Sequence, residues 1–248
     1  MTDIRVSVAM ATYNGEKYIE EQLRTVLANL SECDEVIISD DSSSDRTREI
    51  IQNLNDPRIR LIDGPREGIK QNFGNAIKNC SGRYIFLCDQ DDIWAENKVE
   101  RVLAVFEEKK PLVVVHDCEL FNDSGAILLE SFFDYSKSRP GLIKNILKNR
   151  YIGCCMAFDS VIKEKILPIP NSIEMHDQWI GVLGDKYGHN EFIKECLIRY
   201  RRHEGNASDC FHHYSFARML RNRVCFVFYL EKRIIRNAFS SLQKPSDV

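Results

Sequence analysis

The first half of the chain alternates short apolar runs with stretches of helical periodicity. The apolar runs cover residues 5–11, 35–39, 59–62 and 84–88. The run at 5–11 shows no polar alternation, which is typical of a strand buried on both faces of a parallel sheet. The helical stretches cover residues 18–30, 68–79 and 95–109, and another helix ends at 54. This alternation predicts an α/β fold with right-handed crossovers.

The second half departs from that alternation. Further strands are predicted at 112–117, 152–158 and 192–200, and helices at 141–149, 180–187 and 213–239. A tight turn is predicted at 121–125, and irregular backbone at 131–140. The strand at 152–158 could join the sheet in the antiparallel sense. The prediction is a mixed, mainly parallel sheet followed by a C-terminal amphipathic helix.

Polar clusters follow three of the predicted strands. They are Thr12-Tyr13, Asp40-Asp41 and Asp89-Gln90-Asp91. Because ligands bind beyond the carboxyl ends of parallel strands, we expect the three clusters to converge on one rim. Asp45 or Ser44 can cap the following helix, whereas Asp40 and Asp41 have no predicted local role.

Three carboxylates lie within four residues after the run at 84–88, at Asp89, Asp91 and Asp92. Such carboxylates repel one another unless a cation or a donor-rich ligand lies between them. A hard divalent cation with a diphosphate is the plainest such partner. The alternative is an acidic loop that caps the next helix, with Asp92 as the cap of a helix beginning near Ala95.

Composition narrows the class of protein. The net charge of the 248 residues is -3, which gives no reason to expect a nucleic-acid partner. Residues 1–8 lack a basic segment before a long apolar one, and no apolar run approaches the roughly 20 residues of a membrane span. Nine cysteines without a C-x-x-C pair indicate buried, reduced thiols. We therefore expect a cytoplasmic protein.

The helical pattern at 213–239 mixes aromatic, aliphatic and basic side chains. This composition suits peripheral contact with the inner, anionic face of the cell membrane. Packing on the domain and dimerisation are the alternatives.

Two further groups are candidates for proton transfer. Asp177 is predicted in the first turn of a helix, where exposed amides favour its ionised form, and a simple capping role is the alternative. His116-Asp117 resembles an acid–base pair, but we favour a hydrogen-bonded histidine at a strand end.

Four motifs in order carry a family resemblance between about residues 5 and 208. They are VSVAMATYNGEKYIEEQL, VIISDDSSSDRT, GRYIFLCDQDDIW, and MHDQW with a downstream YRRHEGN. With these motifs the chain resembles the family 2 inverting glycosyltransferases. The resemblance implies a single Rossmann-like nucleotide-diphospho-sugar transferase domain. Its later motifs are most similar to bacterial rhamnosyltransferase-type enzymes of cell-surface polysaccharide synthesis.

The resemblance also implies a domain division. Residues 1–210 would form the catalytic domain, with a nucleotide-sugar-binding half at 1–117 and an acceptor-binding half at 118–210. Residues 211–248 would form a helical extension.

Site roles follow from the matching positions. Nucleotide-sugar binding is implied for Thr12, Tyr13, Asn14, Asp41, Asn72, Asp89, Gln90 and Arg202. Asp91 and His203 would hold Mn²⁺ or Mg²⁺, and Asp177 would be the catalytic base. The chain departs from the commonest pattern at His176, where many relatives have Glu, and at Gln178. Both changes would affect the acceptor side.

The expected reaction is inverting transfer from a dTDP- or UDP-sugar to a glycan or polyprenyl-linked acceptor. A metal-dependent nucleotidyltransferase and a non-catalytic nucleotide- or glycan-binding module are the alternatives. The first normally opens with a glycine-rich phosphate loop, but residues 11–15 contain one glycine. No G-x-x-x-x-G-K-[ST] motif occurs, which disfavours a P-loop NTPase.

Overall fold

A mixed sheet of nine strands runs through the described part of the chain, residues 4–206 and 215–242 of a computed structural model. The strands are β1 (Val6–Thr12), β2 (Glu35–Asp40), β3 (Ile59–Asp63), β4 (Tyr84–Cys88), β5 (Ile93–Trp94), β6 (Val113–Asn122), β7 (Ile127–Leu129), β8 (Met156–Asp159) and β9 (Asn190–Arg202). The helices are α1 (Ile19–Ala28), α2 (Thr47–Asn53), α3 (Ile69–Asn79), α4 (Lys98–Lys109), α5 (Phe132–Ser136), α6 (Leu142–Leu147), α7 (Lys163–Ile166), α8 (His176–Tyr187) and α9 (Phe216–Leu242). The predicted α/β fold is confirmed.

The first four strands form the parallel part of the sheet. β1 pairs in parallel with β2 and β4, and β2 pairs in parallel with β3. Every residue of β1 and β4 is buried, as their unbroken apolar sequences predict. These pairings place the carboxyl ends of β1, β2 and β4 side by side, so the loops that follow them share one rim.

The second half extends the sheet with strands of both directions. β8 is antiparallel to β4 and to β6, as predicted, and β6 runs parallel to β9. The predicted strand ends at 117 and 200 are wrong, because β6 and β9 continue to pair as far as Asn122 and Arg202. Charged side chains also meet across the two strands: Arg199 Nε donates to Glu119 Oε1 at 2.9 Å.

Two helix predictions also need correction. α4 begins at Lys98 rather than near Ala95, because Ile93 and Trp94 form β5 and pair with β9. The segment 131–140, predicted as irregular, contains α5, whose first turn is capped by the Ser131 hydroxyl.

Helix α9 packs on the rest of the domain through α8. The Trp179 ring is fully buried and meets the Phe226 ring edge to face at a centroid distance of 5.9 Å. One face of α9 therefore packs on the domain. The predicted helix start at 213, the domain boundary at 210/211 and the last residues 243–248 lie outside the described residues. No helix among the described residues combines the length and apolarity needed to cross a bilayer.

The described cysteines are all free thiols. Five are buried, as expected, but Cys33 and Cys196 are exposed and Cys225 is half-buried. Cys210 lies outside the described residues.

Two buried helix glycines provide a matched test of this packing. A Cβ added to Gly181 in α8 would lie 2.4 Å from Cζ of Tyr151, whereas at Gly74 in α3 the nearest atom, on Ile169, is 3.8 Å away. Alanine is favoured over glycine in a helix by about 1 kcal/mol, so Gly74→Ala should raise the free energy of unfolding by up to that amount. Gly181→Ala should lower it by about 1–3 kcal/mol through overpacking. Urea unfolding measures both, and equal changes would contradict the contact of Tyr151 with α8.

Candidate active site

The loop after β1 is fastened to the loop after β2 by side-chain hydrogen bonds. Thr12 Oγ1 donates to Asp40 Oδ2 at 3.0 Å, and the Asn14 amide donates to Ser43 Oγ at 2.9 Å. Asn14 Oδ1 in turn accepts from the Ser44 amide at 2.8 Å. Asn14 adopts φ 47°, a left-handed conformation that asparagine tolerates better than most residues. The first two polar clusters thus meet, as predicted.

Gln90 joins the third cluster to the first. Its Oε1 accepts from the Tyr13 amide at 2.9 Å and its Nε2 donates to the Tyr13 carbonyl at 3.1 Å. A Cβ on Gly15 would lie 2.4 Å from Gln90 Oε1, so this position has little room for a side chain. The Tyr13 side chain itself remains 58% exposed on the rim. The three clusters therefore converge on one rim.

Asp40 and Asp41 have local roles, which corrects the expectation that they have none. Asp40 is buried, and its Oδ1 lies 3.1 Å from Nη1 of Arg48 in an ion pair. It also accepts the hydrogen bond from Thr12. The Asp41 carboxylate accepts from the amides of Arg66 and Gly68, and so fixes the turn that leads into α3. The partners in these bonds, Arg48 and two backbone amides, cannot be recognised from the sequence pattern.

Asn72 serves the same rim from α3. It is buried, and its Nδ2 donates to the Thr12 carbonyl at 3.1 Å. Its Oδ1 is buried and has no partner among the described residues, and it lies 2.7 Å from where a Cβ on Gly64 would be. Asn72 therefore supports the strand that carries Thr12.

The carboxylates of the acidic loop, residues 89–92, point to different partners. Asp91 Oδ2 lies 2.9 Å from His203 Nε2 and accepts from Asn206 Nδ2 at 3.3 Å. The His203 ring stacks on Tyr18 at a centroid distance of 4.7 Å. The structure therefore brings together Asp91 and His203, which are far apart in sequence.

Asp92 is not a helix cap. It is buried, its Oδ1 accepts from the Arg201 amide at 2.9 Å, and its Oδ2 has no partner among the described residues. Because β5 separates it from α4, Asp92 cannot reach the first turn of that helix. It instead anchors the end of β9 to the acidic loop.

The Arg201 side chain strengthens the same connection. Its Nε donates to the Asp91 carbonyl at 2.9 Å, and its Nη2 pairs with Glu21 at 2.6 Å. Arg201 is buried by these contacts, so it is a structural partner of the acidic loop. Arg202, the next residue, lines a cavity of about 450 Å³ together with His203 and Lys17.

A second group of possible metal ligands combines two residues of the acidic loop with Cys154. One ligand atom each of Asp89, Asp92 and Cys154 lies within 4.8 Å of the others. Lys98 is fully buried beside them, with its Nζ donating to the Cys154 carbonyl at 2.8 Å and lying 4.0 Å from the Trp94 ring centroid. This cation offsets part of the negative charge. Burial nevertheless raises the pKa of Asp89, with further contributions from Asp91 and Asp177.

Asp177 lies in the first turn of α8 and is buried. Asn149 Nδ2 donates to its Oδ1 at 2.9 Å, and the Gln178 amide donates to the same oxygen. Burial raises the pKa of Asp177 to about 7, although both bonds favour the ionised form. Asp177 also contributes to the raised pKa of Asp89, so the two carboxylates interact electrostatically. A pKa near neutrality is suited to a group that accepts a proton.

The neighbours of Asp177 hold this segment in place. His176 is buried, stacks on Phe73 of α3 at 4.2 Å, and has a pKa lowered to about 3 by burial and by Lys70. Neither of its ring nitrogens has a partner among the described residues. Gln178 Nε2 donates to the Asn145 carbonyl of α6 at 2.7 Å. The two departures from the family pattern thus anchor the Asp177 turn on opposite sides.

Several site residues have weak or no sequence signals. Asn149 ends a short basic segment and Cys154 lies in an apolar run, so neither pattern indicates a polar contact. Asn206 ends the YRRHEGN motif that contains His203, and this position alone could have suggested a contact with the acidic loop.

His116 lies within β6 rather than at a strand end. Its Nδ1 is 2.8 Å from the Asp117 carbonyl, but Nε2 is buried without a partner among the described residues, so this histidine is only half satisfied. The Asp117 carboxylate accepts from the Phe133 amide at 2.9 Å. These contacts fit a buried structural position.

The raised pKa of Asp177 makes stability depend on pH. Its value of about 7 exceeds the ordinary value, so the native state retains a proton that the unfolded chain loses. The contribution of Asp177 to the free energy of unfolding should therefore fall as the pH rises from about 4 to about 7. Asp177→Asn should be more stable than the wild type by about 2–4 kcal/mol near pH 8, and this gain should disappear near pH 4.

Urea unfolding at the two pH values checks this expectation. Asp123→Asn is the control, because Asp123 is partly exposed and pairs with Lys17, which lowers its pKa. It should gain no stability at the higher pH. A wild-type-like pH dependence of Asp177→Asn would contradict the burial of a charge at this position.

Comparisons with known proteins identify the family. The model of glycosyl transferase family 2 matches residues 7–168, which is more than half of the chain. The chain is 29% identical over 194 residues to UDP-Glc:alpha-D-GlcNAc-diphosphoundecaprenol beta-1,3-glucosyltransferase WfgD of Escherichia coli, covering 75% of this chain and 72% of the relative. It is 27% identical over 222 residues to dTDP-rhamnosyl transferase RfbG of Shigella flexneri, covering 79% and 72%.

A solved structure shares the fold. The crystal structure of S. aureus TarS 1–349 in complex with UDP-GlcNAc matches with a TM-score of 0.69 at 19% identity, covering 90% of this chain and 66% of that one. The family match spans β1, the three polar clusters of the rim and the acidic loop, which are the elements that the geometry brings together. The chain therefore belongs to glycosyl transferase family 2.

Proposed function

We propose that this chain transfers a sugar, with inversion, from a nucleoside diphosphate donor to a hydroxyl of a glycan or polyprenyl-linked acceptor in bacterial cell-surface polysaccharide synthesis. The observation that carries the proposal is the convergence of the three polar clusters on one rim, where Asp91 of the acidic loop lies 2.9 Å from His203. The names of WfgD and RfbG support a UDP- or dTDP-sugar, with glucose and rhamnose as candidate sugars. The name of WfgD also supports a lipid-linked acceptor.

Some of the predicted donor-binding residues would contact the nucleotide sugar, and the others support the rim around it. The exposed ring of Tyr13 would lie against the nucleotide, and the carboxylates of Asp89 and Asp41 would accept hydrogen bonds from it. Arg202 and His203 would contact the diphosphate from the cavity that they line. The remaining predicted donor-binding residues act by shaping the rim that binds the nucleotide. They are Thr12, Asn14, Asn72 and Gln90.

The residues present fit a divalent cation. Asp91 and His203 approach within 2.9 Å and offer the carboxylate and imidazole donors that Mn²⁺ accepts, whereas Mg²⁺ would rely more on oxygen ligands. The group of Asp89, Asp92 and Cys154 is less suited to Mg²⁺, because a thiol is a soft ligand. When bound, the cation would supply positive charge beside the departing diphosphate.

On the acceptor side, Asp177 would remove the proton of the attacking hydroxyl. Inverting displacement requires a base facing the acceptor and stabilisation of the leaving group at the other end. Asn149 and the Gln178 amide hold one carboxylate oxygen of Asp177. Family membership favours this reaction over nucleotidyl transfer, and a buried carboxylate with a pKa of about 7 has no evident use in a binding module.

Mutations distinguish the proposed role of Asp177 in proton transfer from the proposed role of Asp91 in metal binding. Asp177→Asn should reduce transfer by about 10²–10⁴-fold while leaving Mn²⁺-dependent UDP or dTDP binding nearly unchanged. Asp91→Ala should lose both transfer and Mn²⁺-dependent binding. Calorimetric titration with UDP and dTDP, with and without Mn²⁺, and a transfer assay over a panel of nucleotide sugars measure these effects. Wild-type transfer by Asp177→Asn would refute the base assignment.

The pH profile of the reaction offers an independent test. Because the ionised form of Asp177 accepts the proton, kcat/KM should rise with pH through a midpoint of about 7. Asn149→Ala removes a donor that favours the ionised form, so the midpoint should move upward by up to about one unit. Asn79→Ala, a change at the end of α3, serves as the control and should leave the midpoint in place. A downward shift for Asn149→Ala would exclude this role.

A further inference from the structure

Helix α9 has an apolar face that its own domain leaves uncovered. Phe226 and Leu230 are buried on the inner face, where α9 packs on Trp179. The outer side nevertheless carries large exposed apolar side chains, and Phe239 is 64% exposed. These exposed residues are Leu220, Val224, Val227, Phe228, Ile235 and Phe239. At 3.6 residues per turn they fall on one side of the helix.

Basic residues border this side of the helix. α9 contains six basic residues and one acidic residue. Arg221 and Lys232 are exposed, and Lys232 Nζ lies 4.9 Å from the ring centroid of Phe228. Glu231, the one acidic residue of α9, is exposed on the same side, but the exposed basic residues of the helix outnumber it. An apolar strip with an excess of cations at its edge matches a surface that presents both hydrocarbon and negative charge.

Helix α6 extends the apolar strip towards the reaction centre. Its Ile143 is 72% exposed and its Leu147 is 55% exposed. The Arg223 side chain of α9 donates to the Leu147 carbonyl, which joins the two helices. Two residues after Leu147, Asn149 bonds Asp177. We call Ile143, Leu147 and the six exposed α9 residues the outer apolar face.

We propose that the outer apolar face inserts into the headgroup region of an anionic membrane and so places the Asp177 side of the site at the lipid surface. The inference rests on the proposed function in one respect, since a polyprenyl-linked acceptor would be held in that same membrane. Anionic lipid headgroups would pair with the basic side chains at the edge of the outer apolar face. The exposed apolar side chains would be buried from water among the acyl chains.

The charge pattern favours a membrane over a second copy of the chain. A two-fold contact is isologous, so each outer apolar face would meet the same face of its partner. Arg221 and Lys232 are exposed at the edge of each face, so such a contact would bring like charges together, whereas Arg233 is buried on the inner side. An anionic bilayer has the opposite charge and carries no such penalty.

Vesicle sedimentation of the full chain tests the proposal. Wild-type protein should sediment with vesicles of equal parts phosphatidylcholine and phosphatidylglycerol, and much less with phosphatidylcholine alone. Val224→Asp with Phe228→Asp should weaken binding at least about tenfold through lost apolar burial. Arg221→Gln with Lys232→Gln should weaken binding to the anionic vesicles by about fivefold per charge.

A matched control places the same charges elsewhere. Ile127→Asp with Leu128→Asp changes two exposed apolar residues of β7 and should leave vesicle binding unchanged. Circular dichroism verifies that each variant is folded. Failure of the wild type to bind anionic vesicles, or an equal loss in the control, would overturn the proposal. Concentration-dependent dimerisation that Val224→Asp with Phe228→Asp abolishes, without vesicle binding by the wild type, would instead identify a second copy as the occupant.

Donor hydrolysis without vesicles separates this proposal from the proposed function. Variants of the outer apolar face should hydrolyse nucleotide sugar at the wild-type rate, because none of their changes touches the donor side. Vesicle binding by a wild type that turns over no nucleotide sugar would support the membrane surface and contradict the reaction.

Discussion

The concentration of negative charge at the end of β4 is the constraint on which the site depends. Its carboxylates follow a fully buried strand, where an uncompensated charge is costly. Asp91 is compensated by His203 and Asn206, whereas the Arg201 amide offsets only part of the burial that raises the pKa of Asp92. These partners come from β9 and from the segment that follows it. The second half of the sheet therefore supplies the groups that make the acidic loop of the first half stable.

The rim uses most of its polar side chains to hold its own shape. Gln90 bonds the Tyr13 backbone through both of its carboxamide atoms, and Thr12 bonds the Asp40 carboxylate. Such bonds restrict the loops before a ligand arrives, which reduces the ordering cost of binding. Exposed groups such as the Tyr13 ring remain for contact with a ligand. A polar residue at a strand end is thus as much a support for the site as a ligand to its substrate.

The predictable features are those that a local pattern encodes. Buried parallel strands require apolar runs, so β1, β2 and β4 were recognisable, and their shared direction placed three polar clusters on one rim. The full lengths of β6 and β9 were not recognisable, because charged residues such as Glu119 and Arg199 interrupt the apolar pattern where the two strands continue to pair. The partner of Asp177 was also hidden. Asn149 is distant from it in sequence, and only the packing of α6 against α8 brings the two side chains together.

Helix α8 connects the turn that carries Asp177 to two other helices. His176 stacks on Phe73 of α3, Asp177 follows it, and Trp179 packs against Phe226 of α9. His176 gains this stack although burial leaves both of its ring nitrogens without partners among the described residues. Close packing transmits displacement, because a dense interior leaves little space for independent movement. The position of Asp177 is therefore set jointly by α3 and by α9, the helix whose outer side carries the exposed apolar residues.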